Sequence, residues 1–204
     1  QYGEVIALSR HSDPAIDLLD ERSLSNAASR FAQAGISPNL IIIATGILHQ
    51  NGKGPEKSMG ELDPDWMVEN YRLNAIGPAL IAKHFLPLMP RKSRICFAVL
   101  SARVGSISDN NLGGWHSYRA SKAALNMLMR NISIEWQRRN PQAIIVGLHP
   151  GTVDTVLSAP FKGNPAHERL APAQAAKQLL AVLDSLNAAD SGQLFAYDGT
   201  IIAA

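Results

Sequence analysis

The sequence has one cysteine, no long apolar run and little net charge, and each absence excludes a class of protein. The lone Cys96 cannot form an intramolecular disulfide and lies within an apolar run, as expected for a buried thiol. No apolar stretch reaches the roughly 18 to 20 residues that span a bilayer, and residues 1–4 do not resemble a signal peptide. A formal net charge of +2 indicates neither a nucleic-acid-binding surface nor an acidic tail. We expect a soluble, cytoplasmic protein with no membrane or nucleic-acid partner.

The composition is that of one folded domain. Hydrophobic residues make up 46% of the 204 positions and charged residues 18%, which is typical of a globular protein with a substantial core. The sequence shows no internal repeat, low-complexity tract or interdomain linker. Residues 1–204 therefore predict a single domain.

Short apolar runs alternate with amphipathic stretches. Predicted strands are Glu4–Ser9, Leu40–Ala44, Ile95–Leu100, Ala143–Leu148 and Gln193–Tyr197. Most of them are apolar without alternation, as in strands covered on both faces. Predicted helices are Ser23–Ala34 with Gly35 at its end, a long helix from the N-cap Asp63 and Pro64 to about Met89, Tyr118–Arg139 and Ala173–Leu186. This order predicts an α/β fold, a doubly wound and mostly parallel sheet with helices on both faces.

A Gly-rich turn is missing where a dinucleotide-binding fold would place it. Such Rossmann-like folds open with a strand and a Gly-rich turn that holds the pyrophosphate at a helix N-terminus. No such turn follows Glu4–Ser9, and the glycines of the stretch Gly52–Gly60 come after the next predicted strand. We expect that the sequence begins at the second strand and lacks the first strand and its turn.

Tyr118 and Lys122 carry the main chemical signal. Their i,i+4 spacing places both side chains on one face of the predicted helix. A phenol, with an ordinary pKa of about 10, is a poor base at neutral pH, and a nearby ammonium lowers that pKa. Such a tyrosine can donate a proton to a carbonyl as a hydride arrives, or accept one from an alcohol in reverse. Taken alone, the pair fits an ordinary surface Tyr and Lys equally well.

The surrounding stretch, Ser101–Asn126, resembles the short-chain dehydrogenase/reductase family, in its branch of C-factor signalling proteins and sniffer-type carbonyl reductases. The resemblance extends from Glu4 to Gly199. It implies an oxidoreductase that transfers a hydride between a nicotinamide cofactor and a small carbonyl or alcohol. It also implies that Tyr118 is the acid/base, and that Lys122 tunes it and binds the nicotinamide ribose.

Asn74 and Gly77 are similar to the family's N-x-x-G motif, in which the Asn supports a proton-relaying water. The residues give an independent reason, because Pro78 has no N–H and leaves the carbonyl of Asn74 without its helical partner. The alternative is a simple proline kink with an incidental Asn.

The segment after the predicted strand Ala143–Leu148 resembles the family's P-G-x-V-x-T pattern. Pro150 and Gly151 would form the turn, and the resemblance implies that the Val153 backbone and Thr155 hold the carboxamide of the nicotinamide ring. A Pro-Gly turn that closes a strand would carry the same residues.

The choice of cofactor rests on the end of the first predicted strand. An acid there suits the ribose of NAD(H), whereas an arginine suits the 2′-phosphate of NADP(H). Arg10, with Ser9 as a helper, therefore favours NADP(H) over NAD(H), unless Arg10 is only a solvated surface residue. Asp17 resembles the family's adenine-contacting Asp, or it begins a turn. No metal is expected.

Two positions depart from the family pattern. In residues 43–46, which correspond to the family's N-N-A-G, Ala44 replaces an Asn that ties neighbouring strands together, although Gly46 still permits close approach of a cofactor. The column of the family's catalytic Ser holds Ala102. Side chains alternate along a strand, so Ser101 should point away from that position unless a twist or bulge turns it inward. Ser101 is our candidate for the substrate-orienting hydroxyl, with Ser106 in reserve.

The segment from Pro150 to Pro172 resembles a mobile substrate lid, and its apolar and Gly/Pro residues are Leu157, Ala159, Pro160, Phe161, Gly163 and Pro165. Trp115 and His116 would line the same cleft or serve packing. These residues favour a small, partly apolar carbonyl compound. A homo-oligomer through the long helices is an open expectation, with candidate core or interface residues Ile81, Phe85, Leu125, Leu128 and Met129.

The sequence is compatible with two functions. The first is an active NADP(H)-dependent carbonyl reductase or alcohol dehydrogenase, favoured by Asn74, Tyr118 and Lys122. The second is a reductase-like signalling or binding protein with weak turnover, favoured by Ala102 and the absent Gly-rich turn. We favour the enzyme.

Overall fold

Among the residues that the structure describes, five strands form one sheet, in the order of the chain. A computed structural model describes residues 3–161 and 169–204. The strands are β1 (Leu40–Ile43), β2 (Ile95–Leu100), β3 (Ala143–His149), β4 (Leu194–Ala196) and β5 (Ile201–Ile202). The first four run parallel, and β5 runs antiparallel to β4. The predicted mostly parallel α/β sheet is confirmed.

In the described part of the chain, five α-helices connect and cover the strands. They are α1 (Glu21–Gln33), α2 (Pro64–Tyr71), α3 (Gly77–Phe85), α4 (His116–Gln137) and α5 (Pro172–Ser185). The side chain of Asp63 accepts hydrogen bonds from the second and third N–H groups of α2, as the sequence predicts. The side chain of Asp20 caps α1, which the sequence did not predict. Gly35 follows α1 with φ +68°, a conformation that glycine adopts without strain.

Helices cover both faces of the sheet, which explains why the strands are apolar throughout. Successive residues of β2 and β3 enter two different hydrophobic clusters. Phe97 and Ile145 face the cluster formed with α1, α3 and α4, whereas Ala98 and Val146 face α5. Because side chains alternate across a strand, only apolar residues suit either side.

The apolar run Glu4–Ser9 forms no strand, so that prediction is wrong. Val5 is 80% exposed, and among the described residues β1 pairs only with β2. An extended segment becomes a strand only where a neighbour satisfies its N–H and C=O groups. The sequence also did not predict the two-residue strand β5.

The predicted long helix from Pro64 to about Met89 is helical but not uniform. A π-helical turn, Arg72–Ile76, separates α2 from α3, and a short 3-10 turn, Leu86–Leu88, ends the run. The π turn ends two residues before Pro78, whose missing N–H disrupts regular α-helical bonding. Asn74 lies within this turn.

The candidate interface residues are mostly core. Ile81, Phe85, Leu125 and Met129 are buried in the cluster beneath α3 and α4, and Leu128 packs partly buried against it. The homo-oligomer therefore stays a prediction. In the part of the chain that the structure describes, no helix has the length and hydrophobicity needed to cross a membrane.

Candidate active site

The carboxyl ends of β1, β2 and β3 lie along one edge of the parallel sheet, where ligands of open α/β folds commonly bind. The first turns of α4 bring Tyr118 and Lys122 to this edge on one helix face. Both side chains are buried, with 9% and 3% of their surfaces exposed. The Lys122 ammonium nitrogen lies 5.7 Å from the centre of the Tyr118 ring, so the two groups face the same space.

The Lys122 ammonium is held at the end of β2. Its Nζ donates a hydrogen bond of 2.9 Å to the carbonyl of Leu100, and no carboxylate among the described residues forms an ion pair with it. Burial lowers the pKa of Lys122 to about 8. The group is therefore largely protonated at neutral pH.

The pKa of Tyr118 differs from the prediction. Burial raises it to about 12, whereas the sequence predicted that the neighbouring ammonium would lower it. Burial in this apolar setting removes solvation from the phenolate, and this free-energy cost is larger than the stabilisation by an ammonium several ångströms away. In the absence of ligands, Tyr118 is a neutral phenol and can act as a proton donor.

Asn74 is fully buried and connects three elements of the site. Its Oδ1 accepts a hydrogen bond from the Ile47 N–H (2.8 Å), and its Nδ2 donates to the Ile47 carbonyl (2.9 Å) and to Ser121 Oγ (3.1 Å). Asn70 accepts a further, longer bond of 3.3 Å. Asn74 thus joins the loop after β1 to α4 next to Lys122.

Gly46 lies against both Asn74 and Lys122; its cofactor role stays a prediction. A methyl carbon added there would lie 3.1 Å from Asn74 Oδ1 and 3.6 Å from Lys122 Nζ. Lys122 carries three N–H donors, and among residues 3–161 and 169–204 only the Leu100 carbonyl accepts from it. The spare donors of Lys122, beside a residue without a side chain, fit the hydroxyl groups of a nicotinamide ribose.

Ser101 is not turned toward Tyr118. Its hydroxyl donates to Asn126 Oδ1 (2.7 Å) and its N–H to the Leu148 carbonyl (2.7 Å), which continues the sheet without a bulge. Ala102 instead packs in one cluster with Tyr118. The choice of Ser101 as catalytic hydroxyl is therefore not supported, because the strand alternation that the sequence predicts is retained. The hydroxyl of Ser106, the reserve, accepts from the Asp109 N–H.

Aromatic rings form a wall beside Tyr118. The Trp115 ring lies 6.2 Å from the Tyr118 ring and 5.2 Å from the Phe161 ring, and His49 lies 5.8 Å from Phe161. His49 Nε2 is also 3.2 Å from the carbonyl of Val156. The described part of the segment after β3 therefore contacts the site through Val156 and Phe161, and its role as a lid stays a prediction.

Only part of the predicted lid lies within the described residues. Leu157, Ala159 and Pro160 belong to a described turn that begins at Thr155, whereas Gly163 and Pro165 lie outside the described residues.

His116 does not line the Tyr118 cleft. It borders a separate surface pocket on the opposite face of α4 with Arg119 and Ala123, because residues three and seven positions apart share a helix face.

The predicted carboxamide-binding segment forms a defined turn. The Val153 backbone bridges Leu170 in parallel, and Ser158 Oγ donates to the Val153 carbonyl (2.6 Å). Thr155 is exposed at the start of the next turn. Gly151 has φ +74°, and a methyl carbon there would lie 2.9 Å from the Tyr197 ring. Gly151 and Pro150 therefore aim this segment off the end of β3.

The predicted adenosine side of the site forms a tight turn before α1. The Ser9 carbonyl accepts from the Ile16 N–H (2.9 Å), and Arg10 is exposed on this turn. Asp17 Oδ1 accepts from the Leu19 N–H (2.9 Å), so Asp17 does begin a turn. Leu18 of that turn packs where a methyl carbon on Gly77 would lie, at 2.7 Å, which explains the glycine of the N-x-x-G motif.

Sequence reasoning missed three residues of the site. Ser121 is fully buried against Asn74, and its helical spacing from Tyr118 could have revealed it. Gly105 lies so close to Lys122 that an added methyl carbon would be 2.8 Å from Lys122 Cβ. Glu56 is buried against Ser117, 61 positions away, and no local signal indicates this contact.

The fold and the Asn–Tyr–Lys arrangement define a Rossmann-like oxidoreductase. A family model described as enoyl-(acyl carrier protein) reductase, within the short-chain dehydrogenase/reductases, matches residues 8–189. The chain belongs to the short-chain dehydrogenase/reductase family.

Individual relatives agree with this assignment. The chain is 30% identical to 1-hydroxy-2-glutathionyl-2-methyl-3-butene dehydrogenase of Rhodococcus sp. (strain AD45), over 93% of this chain and 79% of the relative. It is 34% identical to the C-signal protein of Myxococcus xanthus, over 70% of this chain and 81% of that protein. The NADPH-bound carbonyl reductase from chicken fatty liver superposes with a TM-score of 0.78 at 30% identity, covering 93% of this chain and 76% of the other.

Proposed function

We propose that the protein is an NADP(H)-dependent carbonyl reductase that also catalyses the reverse alcohol oxidation. The observation that carries the proposal is the burial of Tyr118 beside the Lys122 ammonium, 5.7 Å from ring centre to nitrogen, at the carboxyl edge of the sheet. The chicken carbonyl reductase, which shares the fold at 30% identity, binds NADPH. A cytoplasmic location stays a prediction.

In this proposal the residues of the chain bind the cofactor at both ends. Gly46 leaves space for the nicotinamide ribose, and Lys122 donates to its hydroxyl groups. Val153 and Thr155, directed by the turn at Pro150 and Gly151, hold the carboxamide. Arg10, exposed on its turn with Ser9, pairs with the 2′-phosphate, and Asp17 lies on the adenine side.

Proton transfer is the contribution of Tyr118. The bound nicotinamide supplies the hydride to the carbonyl carbon. Tyr118, a neutral phenol with a pKa of about 12, donates its proton to the carbonyl oxygen, and the phenolate that remains is stabilised by the Lys122 ammonium. Asn74 fixes the loop and helix around this pair, and a proton from solvent must return to the Tyr118 phenolate before the next turnover.

The wall beside Tyr118 supports an apolar substrate. Trp115, Phe161 and Leu48 pack around the phenol, and Ala102 adds no hydroxyl. Such a surface favours a carbonyl compound with an aromatic or apolar substituent. Because the usual serine donor is absent, we expect turnover to be slower than with one present.

Titration of the protein with NADPH and NADH, followed by NADPH oxidation over a panel of aromatic and aliphatic carbonyls, tests the proposal. Tyr118→Phe should lower kcat by about 10²- to 10⁴-fold while leaving NADPH binding within about threefold. Tyr71→Phe, in α2, is the matched control. Equal turnover in wild type and Tyr118→Phe would refute the role of the phenol.

The cofactor preference has its own test. Arg10→Asp should reverse or abolish the preference for NADPH over NADH, because the carboxylate repels a 2′-phosphate. Arg91→Asp, another exposed arginine, should leave the preference unchanged. An unchanged preference in Arg10→Asp would show that the assignment is wrong.

A second candidate function is a cofactor-binding signalling protein with weak or no turnover. Its specific support is the 34% identity to the C-signal protein, together with Ala102 in the column of the catalytic serine. Tight NADPH binding without turnover on any carbonyl, unaffected by Tyr118→Phe, would favour this function over the reductase.

A further inference from the structure

Glu56 is a buried carboxylate at the start of the helix that carries Tyr118. Only 3% of its surface is exposed. One carboxylate oxygen accepts a hydrogen bond of 3.1 Å from the Ser117 N–H, and the other accepts from the Ser117 hydroxyl. The backbone carbonyl of Glu56 accepts from the Trp115 N–H at 2.5 Å. A single loop residue thus accepts three hydrogen bonds from Trp115 and Ser117, just before Tyr118.

These contacts replace a local helix cap. The N-cap residue of α4 is Trp115, whose side chain forms no capping hydrogen bond. Helices α1 and α2 instead have Asp20 and Asp63 as adjacent caps. Because the first N–H groups of a helix lack partners within it and carry partial positive charge, a carboxylate from another segment can fill this role. No cation among the described residues pairs with Glu56. The partial positive charge at the start of α4 therefore stabilises the carboxylate.

The same contacts hold Trp115 in an unusual conformation. Its φ is +53°, in the left-handed region that a bulky residue rarely adopts. The preceding Gly114 also has a positive φ, and a methyl carbon there would lie 3.5 Å from the Glu56 carbonyl. In this conformation the Trp115 ring reaches Tyr118 and Phe161. Left-handed backbone at a bulky residue persists only where surrounding contacts enforce it.

We propose that Glu56 is a positioning residue for the reaction. It fixes the first turn of α4 so that Tyr118 faces the carbonyl oxygen and Trp115 faces the substrate substituent. The expected effect of Glu56 on kcat rests on the proposed reductase function. The expected effect on the structure of the first turn of α4 rests on the geometry of that helix alone. Glu56 itself acts through Ser117 and Trp115.

Kinetics of Glu56→Ala and Glu56→Gln test the consequence for the reaction. Glu56→Ala should lower kcat for carbonyl reduction by about 10- to 100-fold, since small misplacements of a reacting group have effects of this size, with NADPH affinity within about threefold of wild type. Glu56→Gln should recover most of the activity, because its amide oxygen still accepts from the Ser117 N–H and its NH₂ can donate to the hydroxyl. Glu61→Ala is the matched control, because Glu61 is an exposed carboxylate that accepts from the Lys57 N–H in the same loop.

A second measurement does not depend on activity. Amides 115–119 should exchange hydrogen faster in Glu56→Ala than in wild type and Glu61→Ala, whereas amides of β3 should not change. The ¹⁹F resonance of 5-fluorotryptophan at position 115, assigned with Trp115→Phe, should shift in Glu56→Ala and return toward its wild-type position in Glu56→Gln. Unchanged exchange and an unchanged resonance in Glu56→Ala would overturn the proposal.

The two proposals fail separately. If wild-type protein reduces no carbonyl, the reductase function is wrong, while exchange and the ¹⁹F signal still decide whether Glu56 positions the helix. If the reductase is active and Glu56→Ala equals wild type in kcat, the positioning role is overturned. Should Glu56→Ala not fold, Ser117→Ala removes one of the two donors and should lower kcat by about threefold to tenfold. Wild-type kcat in that variant, with unchanged exchange, would again overturn it.

Discussion

The ammonium of Lys122 lies 5.7 Å from the centre of the Tyr118 ring, and burial moves their pKa values in opposite directions. The pKa of Tyr118 rises to about 12, and that of Lys122 falls to about 8. Near neutral pH the lysine therefore carries its charge and the tyrosine keeps its proton. This is the protonation state that carbonyl reduction requires at its start.

The buried ammonium of Lys122 should reduce stability at neutral pH. Its pKa is about 8 in the folded protein, against an ordinary value of 10.5. This difference in pKa corresponds to a destabilisation of the folded wild-type protein by about 3 kcal/mol at low pH. Replacing Lys122 removes that destabilisation, but it also removes the hydrogen bond to the Leu100 carbonyl, which costs roughly 1 kcal/mol. Lys122→Met should therefore raise the free energy of unfolding by about 2 kcal/mol near neutral pH while abolishing turnover.

The pH dependence gives this prediction its sign. As pH rises through about 8, the folded protein releases the Lys122 proton while the unfolded chain keeps it, so wild-type stability increases. The advantage of Lys122→Met should shrink by about pH 9, as urea unfolding measures. Lys92→Met, at an exposed position, should show no such trend. A constant difference across this range would contradict the lowered pKa.

A hydroxyl at position 102 should increase turnover. Ala102 packs in the cluster that contains Tyr118, whereas the Ser101 hydroxyl is bonded to Asn126. Ala102→Ser places a donor beside the reacting oxygen and should raise kcat about tenfold. Ser101→Ala should leave kcat within about twofold and lower stability by about 1 kcal/mol. Steady-state NADPH oxidation measures both, and a large loss of kcat in Ser101→Ala would restore Ser101 as the donor.

Gly105 should be intolerant of a side chain. A methyl carbon there would lie 2.8 Å from Lys122 Cβ and 2.9 Å from the Lys122 carbonyl carbon. Gly105→Ala should cost about 2 to 3 kcal/mol by overpacking and should lower kcat, because Lys122 must move. Gly54→Ala, where the nearest atom is His49 Cβ at 3.9 Å, is the control in thermal unfolding and kinetics. Equal stability of the two variants would contradict the close packing.

Asn74 should be needed for both stability and activity. Asn74→Ala leaves the Ile47 N–H and carbonyl without their side-chain partner in a buried site, which should cost about 2 to 4 kcal/mol. Asn74→Asp keeps the acceptor for the Ile47 N–H but loses the three bonds that Nδ2 donates, so its stability should also fall. Asn26→Ala, on the exposed surface of α1, should change stability by less than about 0.5 kcal/mol. Wild-type stability in Asn74→Ala would contradict the network.

Much of the fold could be predicted from local patterns. Several elements depend only on residues that are close together in the sequence: strand β2, the capping aspartates Asp20 and Asp63 of the first two helices, and the i,i+4 pair on α4. All of these except Asp20 were predicted. Glu4–Ser9 was wrongly predicted because an apolar run is necessary for a strand but does not provide the neighbour with which it pairs. The π turn at Arg72–Ile76 could be anticipated only as a disturbance before Pro78.

The site could be predicted less completely than the fold. Asn74, Gly46, Tyr118 and Lys122 lie together as the residues and the family resemblance implied. The roles of Arg10, Val153 and Thr155 stay predictions. Glu56 was missed because its partner lies 61 positions away, and contacts at that separation depend on how the whole sheet is assembled.

The sequence by itself determined that strands and helices alternate, and that a tyrosine and a lysine share one helix face, because both follow from periodicity and spacing. Tertiary structure decided the protonation of that pair, the hydrogen bond from buried Ser101 to Asn126 and the capping of α4 by Glu56. These properties depend on burial and on contacts between distant segments, since solvent exclusion and hydrogen-bond partners are set only when the elements pack together.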